Sequence, residues 1–166
     1  MSLLAHYDAE ARAGHMSQAA AQEAALGAVR SLRYGQNDYF WINDLHAKVI
    51  MHPIKPAFDG TDGALVRDVN GVSPFVRAAE AARTGEGGTF EYRWPRAGST
   101  VPTDKISYAK TFAPWVVGTG VYVDDITAGL RAQMVRSGSE ILLVGLGVTG
   151  LALLIGRDRP PAVGDD

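Results

Sequence analysis

The chain reads as an α+β protein: a helical N-terminus, an antiparallel sheet interrupted by one long loop and one short helix, and a last helix. Three observations predict this. Residues 2–33 are rich in Ala, Gln, Glu and Leu, lack proline, and space Ala21, Ala25, Ala28, Val29 and Leu32 three and four apart, as on one helical face. Tyr39-Phe40-Trp41-Ile42 and Ala47 to His52 flank Asn43-Asp44, the pattern of a β-hairpin. Between Thr89 and Val123 three strand-like runs follow one another with short breaks, which is a meander. Helix, hairpin, loop and helix, three strands and helix is an α+β order.

Taken in order, residues 2–33 form one long helix or two broken near Gly14, and Gly35 is placed to stop it. The hairpin follows, from Tyr34 to Pro53. HPIKPAFDGTDGALVRDVNGVSP then holds two Asp-Gly pairs, one Asn-Gly and three prolines, so it is a loop or lid and not a regular element. Ser73-Pro74 starts a helix with Ser as N-cap and Pro at the first helical position, ending by Gly85. Thr89 to Trp94 alternates, with Phe90, Tyr92 and Trp94 on one face and Glu91 and Arg93 on the other. Lys105 to Thr111 and Trp115 to Val123 complete the meander, and Asp124-Asp125 caps a helix carrying Ile126, Leu130 and Met134 on one face.

Composition excludes several functions. The 166 residues carry a formal charge of -2, without the basic excess of a nucleic-acid binder. With no cysteine, disulfides, thiolate nucleophiles, zinc ribbons and covalent c-type haem are ruled out. Asp59 and Asp62 miss calcium-loop spacing and read as turns, so no metal is expected. GLGVTG at 145–150 matches a dinucleotide pattern, but too few residues follow to complete a βαβ unit. Tyr122 to Asp125 reads as a strand running into a helix N-terminus. His6, His15, His46 and His52 form no metalloprotease pair and no catalytic constellation stands out. Neither catalysis nor a cofactor is expected.

Residues 141–156 are almost wholly apolar and are followed by Arg157 and Arg159. The run is a little short of a full bilayer crossing, but its basic flank is that of a cytoplasmic membrane boundary. The alternative is a buried core helix. The domain reading is residues 1–135 as a sensing module, 136–157 as a partial or complete membrane span, and 158–166 as a cytoplasmic tail.

The blocks YFWIND, MHP, GTFEYRWP, KISYAK and WVVGTGVYVDDI, in that order, resemble a single Cache domain of the second type, the extracellular sensor module of bacterial methyl-accepting chemotaxis proteins and some sensor kinases. The resemblance covers about residues 16–135. It implies a PAS-like antiparallel sheet with the N-terminal helix on one face and a ligand pocket on the other, closed by the loop and the short helix. It also implies a C-terminal helix leading into a membrane span, a periplasmic sensor in an inner-membrane receptor, and a homodimer in the full receptor; for the soluble domain alone a weak or absent dimer is expected, pairing along the Ala-rich face of residues 19–33. No first span and no cleavable signal precede the N-terminal helix, whose start reads as truncated, and Arg157 to Pro160 is faintly like the start of a HAMP linker. A histidine kinase or another transmembrane signalling enzyme is the alternative parent.

Members of the family sense small carboxylates such as acetate, propionate, pyruvate or lactate, and six residues are candidates for such a pocket. Tyr92 and Trp94 give an aromatic wall with polar tips, Lys105 a positive charge, Tyr108 a hydroxyl, His52 a hydrogen-bond donor and Trp41 a floor. Each has a structural alternative: Trp41 and Tyr108 as core residues, Lys105 as a solvated strand-edge lysine. Lys105 and Tyr108 differ in parity, so without a bulge they cannot both face one pocket.

Overall fold

The computed structural model describes residues 3–35 and 37–128. Residues up to Asp124 form one compact unit, and those from Asp125 on group separately. The N-terminal stretch is two helices, α1 (Leu3–Arg12) and α2 (Gln18–Ser31). They part at Gly14, whose φ of +76° suits glycine. Ser17 caps α2 by accepting the Ala20 N–H at 3.2 Å.

Six strands follow: β1 (Arg33–Tyr34), β2 (Asp38–Asn43), β3 (Val49–Met51), β4 (Gly88–Pro95), β5 (Pro102–Phe112) and β6 (Trp115–Tyr122), with helix α3 (Pro74–Ala82) between β3 and β4. The sheet runs β1-β2-β6-β5-β4, and β3 also pairs with β2. Every pairing is antiparallel. The hairpin turn is longer than the Asn43-Asp44 pair expected. Asn43 stays in β2, where its Oδ1 accepts the Trp41 indole N–H at 3.0 Å. Asp44 shapes the turn instead, accepting the N–H groups of His46 and Lys48.

Parity divides the sheet into two faces, except in β3, where a register shift against β2 turns Val49 and Met51 to opposite sides. On one, Ile42, Met51 and Trp115 pack against Leu4 of α1 and Ala25 and Val29 of α2. Of the face expected to pair with a second copy, Ala21, Ala25 and Val29 are buried inside this chain, while Ala28 and Leu32 stay partly exposed. On the other face, Tyr39, Trp41, Val49, Phe90, Tyr92, Trp94, Ala109 and Val116 pack against Phe75, Ala78 and Ala82 of α3. The loop after β3 covers this face with two 3₁₀ turns, Pro56–Phe58 and Gly63–Leu65. Ser73 caps α3 as expected, and its hydroxyl donates to the Gly63 carbonyl, tying lid to helix.

On the lid face of β6, Gly118 and Gly120 alternate with side chains of the opposite face. A Cβ at 118 would overlap the Trp41 indole and one at 120 the Ser107 hydroxyl. The central strand is bare there, and its neighbours lean across it. Helical backbone begins at Val123 and is described to Ala128. No helix among the described residues is long and apolar enough to cross a membrane. The apolar run at 141–156 lies outside the described residues.

Candidate functional site

The lid face concentrates buried polar groups. Lys105 sits inside β5, paired with Tyr92 of β4 and Tyr122 of β6. It is 1 % exposed, which rules out the solvated strand-edge lysine. Its Nζ is buried without a hydrogen-bond partner among the described residues. Its neighbours are ring faces: Tyr39 at 4.2 Å, Tyr122 at 4.8 Å and Trp41 at 6.0 Å from the centroids. Cation–π attraction offsets part of the lost hydration. Burial pulls the ammonium down to about 8, while the Asp38 carboxylate works to raise it. At neutral pH Lys105 is therefore mostly charged, with the Asp38 carboxylate as an opposite charge nearby and no hydrogen-bond acceptor at Nζ among the described residues.

His52 directly follows β3 and is buried. Its Nδ1 accepts the N–H groups of Lys55 at 3.1 Å and Ile54 at 3.3 Å. A neutral ring that accepts at Nδ1 carries its proton on Nε2. Burial, then the charges of Lys105 and Lys55, hold the imidazole down to about 3, so it stays neutral and Nε2–H stays a donor. Tyr39, Phe58, Phe75 and Trp94 surround the ring at 5.1 to 6.3 Å between centroids.

Of the remaining candidates, Tyr92 is buried and its hydroxyl accepts from Ser107 at 3.2 Å, which leaves its own O–H to donate. Trp94 is buried against the rings of His52, Phe58, Phe75 and Tyr92. Trp41 is buried and lies over Gly118. Tyr108 is not brought into the cluster. It follows the parity of β5, stands on the opposite face at 41 % exposure, and donates to the Glu86 carbonyl.

The sequence reading missed Tyr39, Tyr122, Ser107 and Lys55. Tyr39 shares the parity of Trp41, a signal that was present. Tyr122 and Ser107 needed the strand register. Lys55 lies in the lid, its Nζ 4.7 Å from the Trp94 ring, a placement no periodicity announces. An open depression of about 190 Å³, lined by Asp68, Asn70, Val72, Tyr92 and Lys105 among others, approaches the cluster beside β4. Among the described residues no group of His, Asp and Glu is arranged to hold a metal ion.

The sequence profile of the family called single Cache domain 2 matches residues 1–136. The methyl-accepting chemotaxis protein McpP of Pseudomonas putida is 43 % identical over 155 residues, covering 92 % of this chain and 28 % of that protein. The sensor histidine kinase MctS of Rhizobium johnstonii is 31 % identical over 142 residues, 80 % of this chain and 30 % of that one. The chain thus spans less than a third of either relative. A solved Cache chemosensory domain, described for its recognition of carboxylic acids, superposes with a TM-score of 0.69 at 41 % identity over 73 % of this chain and 84 % of its own.

Proposed function

The chain belongs to the single Cache domain 2 family, and from that premise we propose that it is the periplasmic ligand-sensing part of a chemoreceptor that binds a small monocarboxylate. The buried ammonium of Lys105, without a hydrogen-bond partner among the described residues, carries this reading. A desolvated carboxylate needs charge-assisted donors, and Lys105 with the Nε2–H of His52 and the O–H of Tyr92 supplies them. Trp41, Trp94 and Tyr39 then wall a short apolar tail. The lid over a single sheet suits a ligand of about two to four carbons.

The proposed organisation is a sensing module to about residue 135, a membrane span over 136–157 and a cytoplasmic tail at 158–166. The full receptor is then a homodimer in the inner membrane, and ligand is bound without turnover. The chemoreceptor reading takes support from the relative of 43 % identity, and the kinase alternative from the relative of 31 %.

Calorimetric titration with acetate, propionate, pyruvate and lactate tests the reading. Saturable binding of at least one, its loss in Lys105→Met, and unchanged ligand after long incubation are expected. Binding of none, or equal binding by the variant, would refute the site.

A further inference from the structure

We propose that Asp59 is a positioning residue for the ligand cluster and that, through Arg30, it links occupancy of that cluster to the C-terminal turn of α2. The proposal rests on the carboxylate reading above. The two oxygens of Asp59 serve different layers of the fold. Oδ1 accepts the His52 backbone N–H at 2.7 Å. Oδ2 pairs with the Arg30 guanidinium. Arg30 stands in the last turn of α2, on the far side of the sheet from the lid.

The local backbone explains how one carboxylate reaches both. Asp59 closes the Pro56–Phe58 turn. Beyond it, the Gly60 N–H donates to the Val49 carbonyl and the Val49 N–H donates to the Thr61 carbonyl. The lid therefore runs along the free edge of β3, where an arginine from the helix layer can meet it. The 52–59 loop is closed at both ends: Asp59 holds the His52 N–H, and His52 Nδ1 holds the N–H groups of Ile54 and Lys55. A ligand drawing on His52 Nε2–H loads this closed loop, and Asp59 passes the load to Arg30.

The pair itself is partly exposed, with side chains 41 % and 25 % accessible. Such pairs add little to stability, so its loss leaves the fold standing and the link can be tested alone.

The test is amide hydrogen exchange in residues 29–31 of the 166-residue chain, with and without saturating propionate, beside calorimetry. In the wild type, propionate is expected to slow exchange in this turn several-fold. Arg30→Gln should bind propionate within about fivefold of wild type yet lose the protection, and Arg30→Lys should regain part of it. Asp59→Asn, which keeps an oxygen for His52, should behave like Arg30→Gln. Asp59→Ala should in addition weaken propionate by more than about tenfold, as for a buried N–H left without its acceptor. Full protection in Arg30→Gln, or none in propionate-bound wild type, would overturn the link. Unchanged affinity in Asp59→Ala would overturn the positioning role. If calorimetry shows no carboxylate bound by the wild type, the functional reading falls and takes this proposal with it.

Discussion

On the helix-packed face of the sheet, Ile42, Met51 and Trp115 meet Leu4, Ala25 and Val29, aliphatic and aromatic groups that ask nothing of their neighbours. On the lid face, equally deep, lie Lys105, His52, Ser107 and Asn43 among tyrosine and tryptophan rings. Asn43 and Ser107 are satisfied within the protein. Lys105 is not. The difference separates scaffold from sensor. A core that only stabilises has no reason to bury an ammonium, because replacing buried charge by apolar bulk is often neutral or stabilising. The helix face supplies the stability that lets the lid face carry an unfavourable group.

The sharpest way to break this contrast is Lys105→Met. A bound carboxylate left without its cation is expected to cost about 3–5 kcal/mol, a loss of at least a hundredfold in propionate affinity by calorimetry. The melting temperature of the ligand-free variant should equal or exceed that of the wild type. A lower one would make Lys105 a structural residue.

Ile42→Ala probes the other face. A fully buried isoleucine cut to alanine is expected to lower stability by about 2–5 kcal/mol, read by denaturant unfolding. Carboxylate affinity of the folded fraction should stay close to wild type. A selective loss of affinity would mean the faces are not separable.

pH sharpens the comparison because its two effects have opposite signs. Burial holds Lys105 at about 8 in the fold against an ordinary 10.5. Between these values the unfolded chain keeps a proton that the folded chain releases, so stability of the free domain rises with pH from about 8. Above about 10 the rise reverses, because buried Tyr39 and Tyr92 have raised pKa values, and their contribution is lost once unfolded tyrosines ionise. Carboxylate affinity does the reverse, flat below about 8 and falling about tenfold per pH unit above it. Melting curves and titrations between pH 7 and pH 10 would check both.

The smallest effect is expected from Tyr108→Phe. It removes a partly exposed bond to the Glu86 carbonyl, about 1 kcal/mol of stability, and should leave affinity within about twofold. A larger loss of affinity would place Tyr108 in the site after all.

Much of this was legible beforehand. Alternation placed Phe90, Tyr92 and Trp94 on one face, Ser73-Pro74 marked the start of α3, and the parity clash between Lys105 and Tyr108 was visible in their numbers. The sequence could not decide which of the two turned inward, because that depends on which face the lid covers. Asp59 and Lys55 escaped for a related reason. Their roles come from a loop folded back on the edge of β3, and loop closure leaves no period in the chain. Tyr39 was a missed opportunity, since it shares its strand face with Trp41.

The bare stretch of β6 bears on how such a domain diverges. Any side chain at position 118 needs the space the Trp41 ring occupies. The two positions can therefore be inherited only as a pair: glycine with tryptophan, or a side chain with something smaller opposite. A lineage that trades one without the other passes through an overpacked intermediate. The lid carries an interlock of the same kind at Gly63, where a Cβ would overlap the Ala47 carbonyl and the Phe75 ring, so the sheet floor and the lid turn above it are both held still across descent.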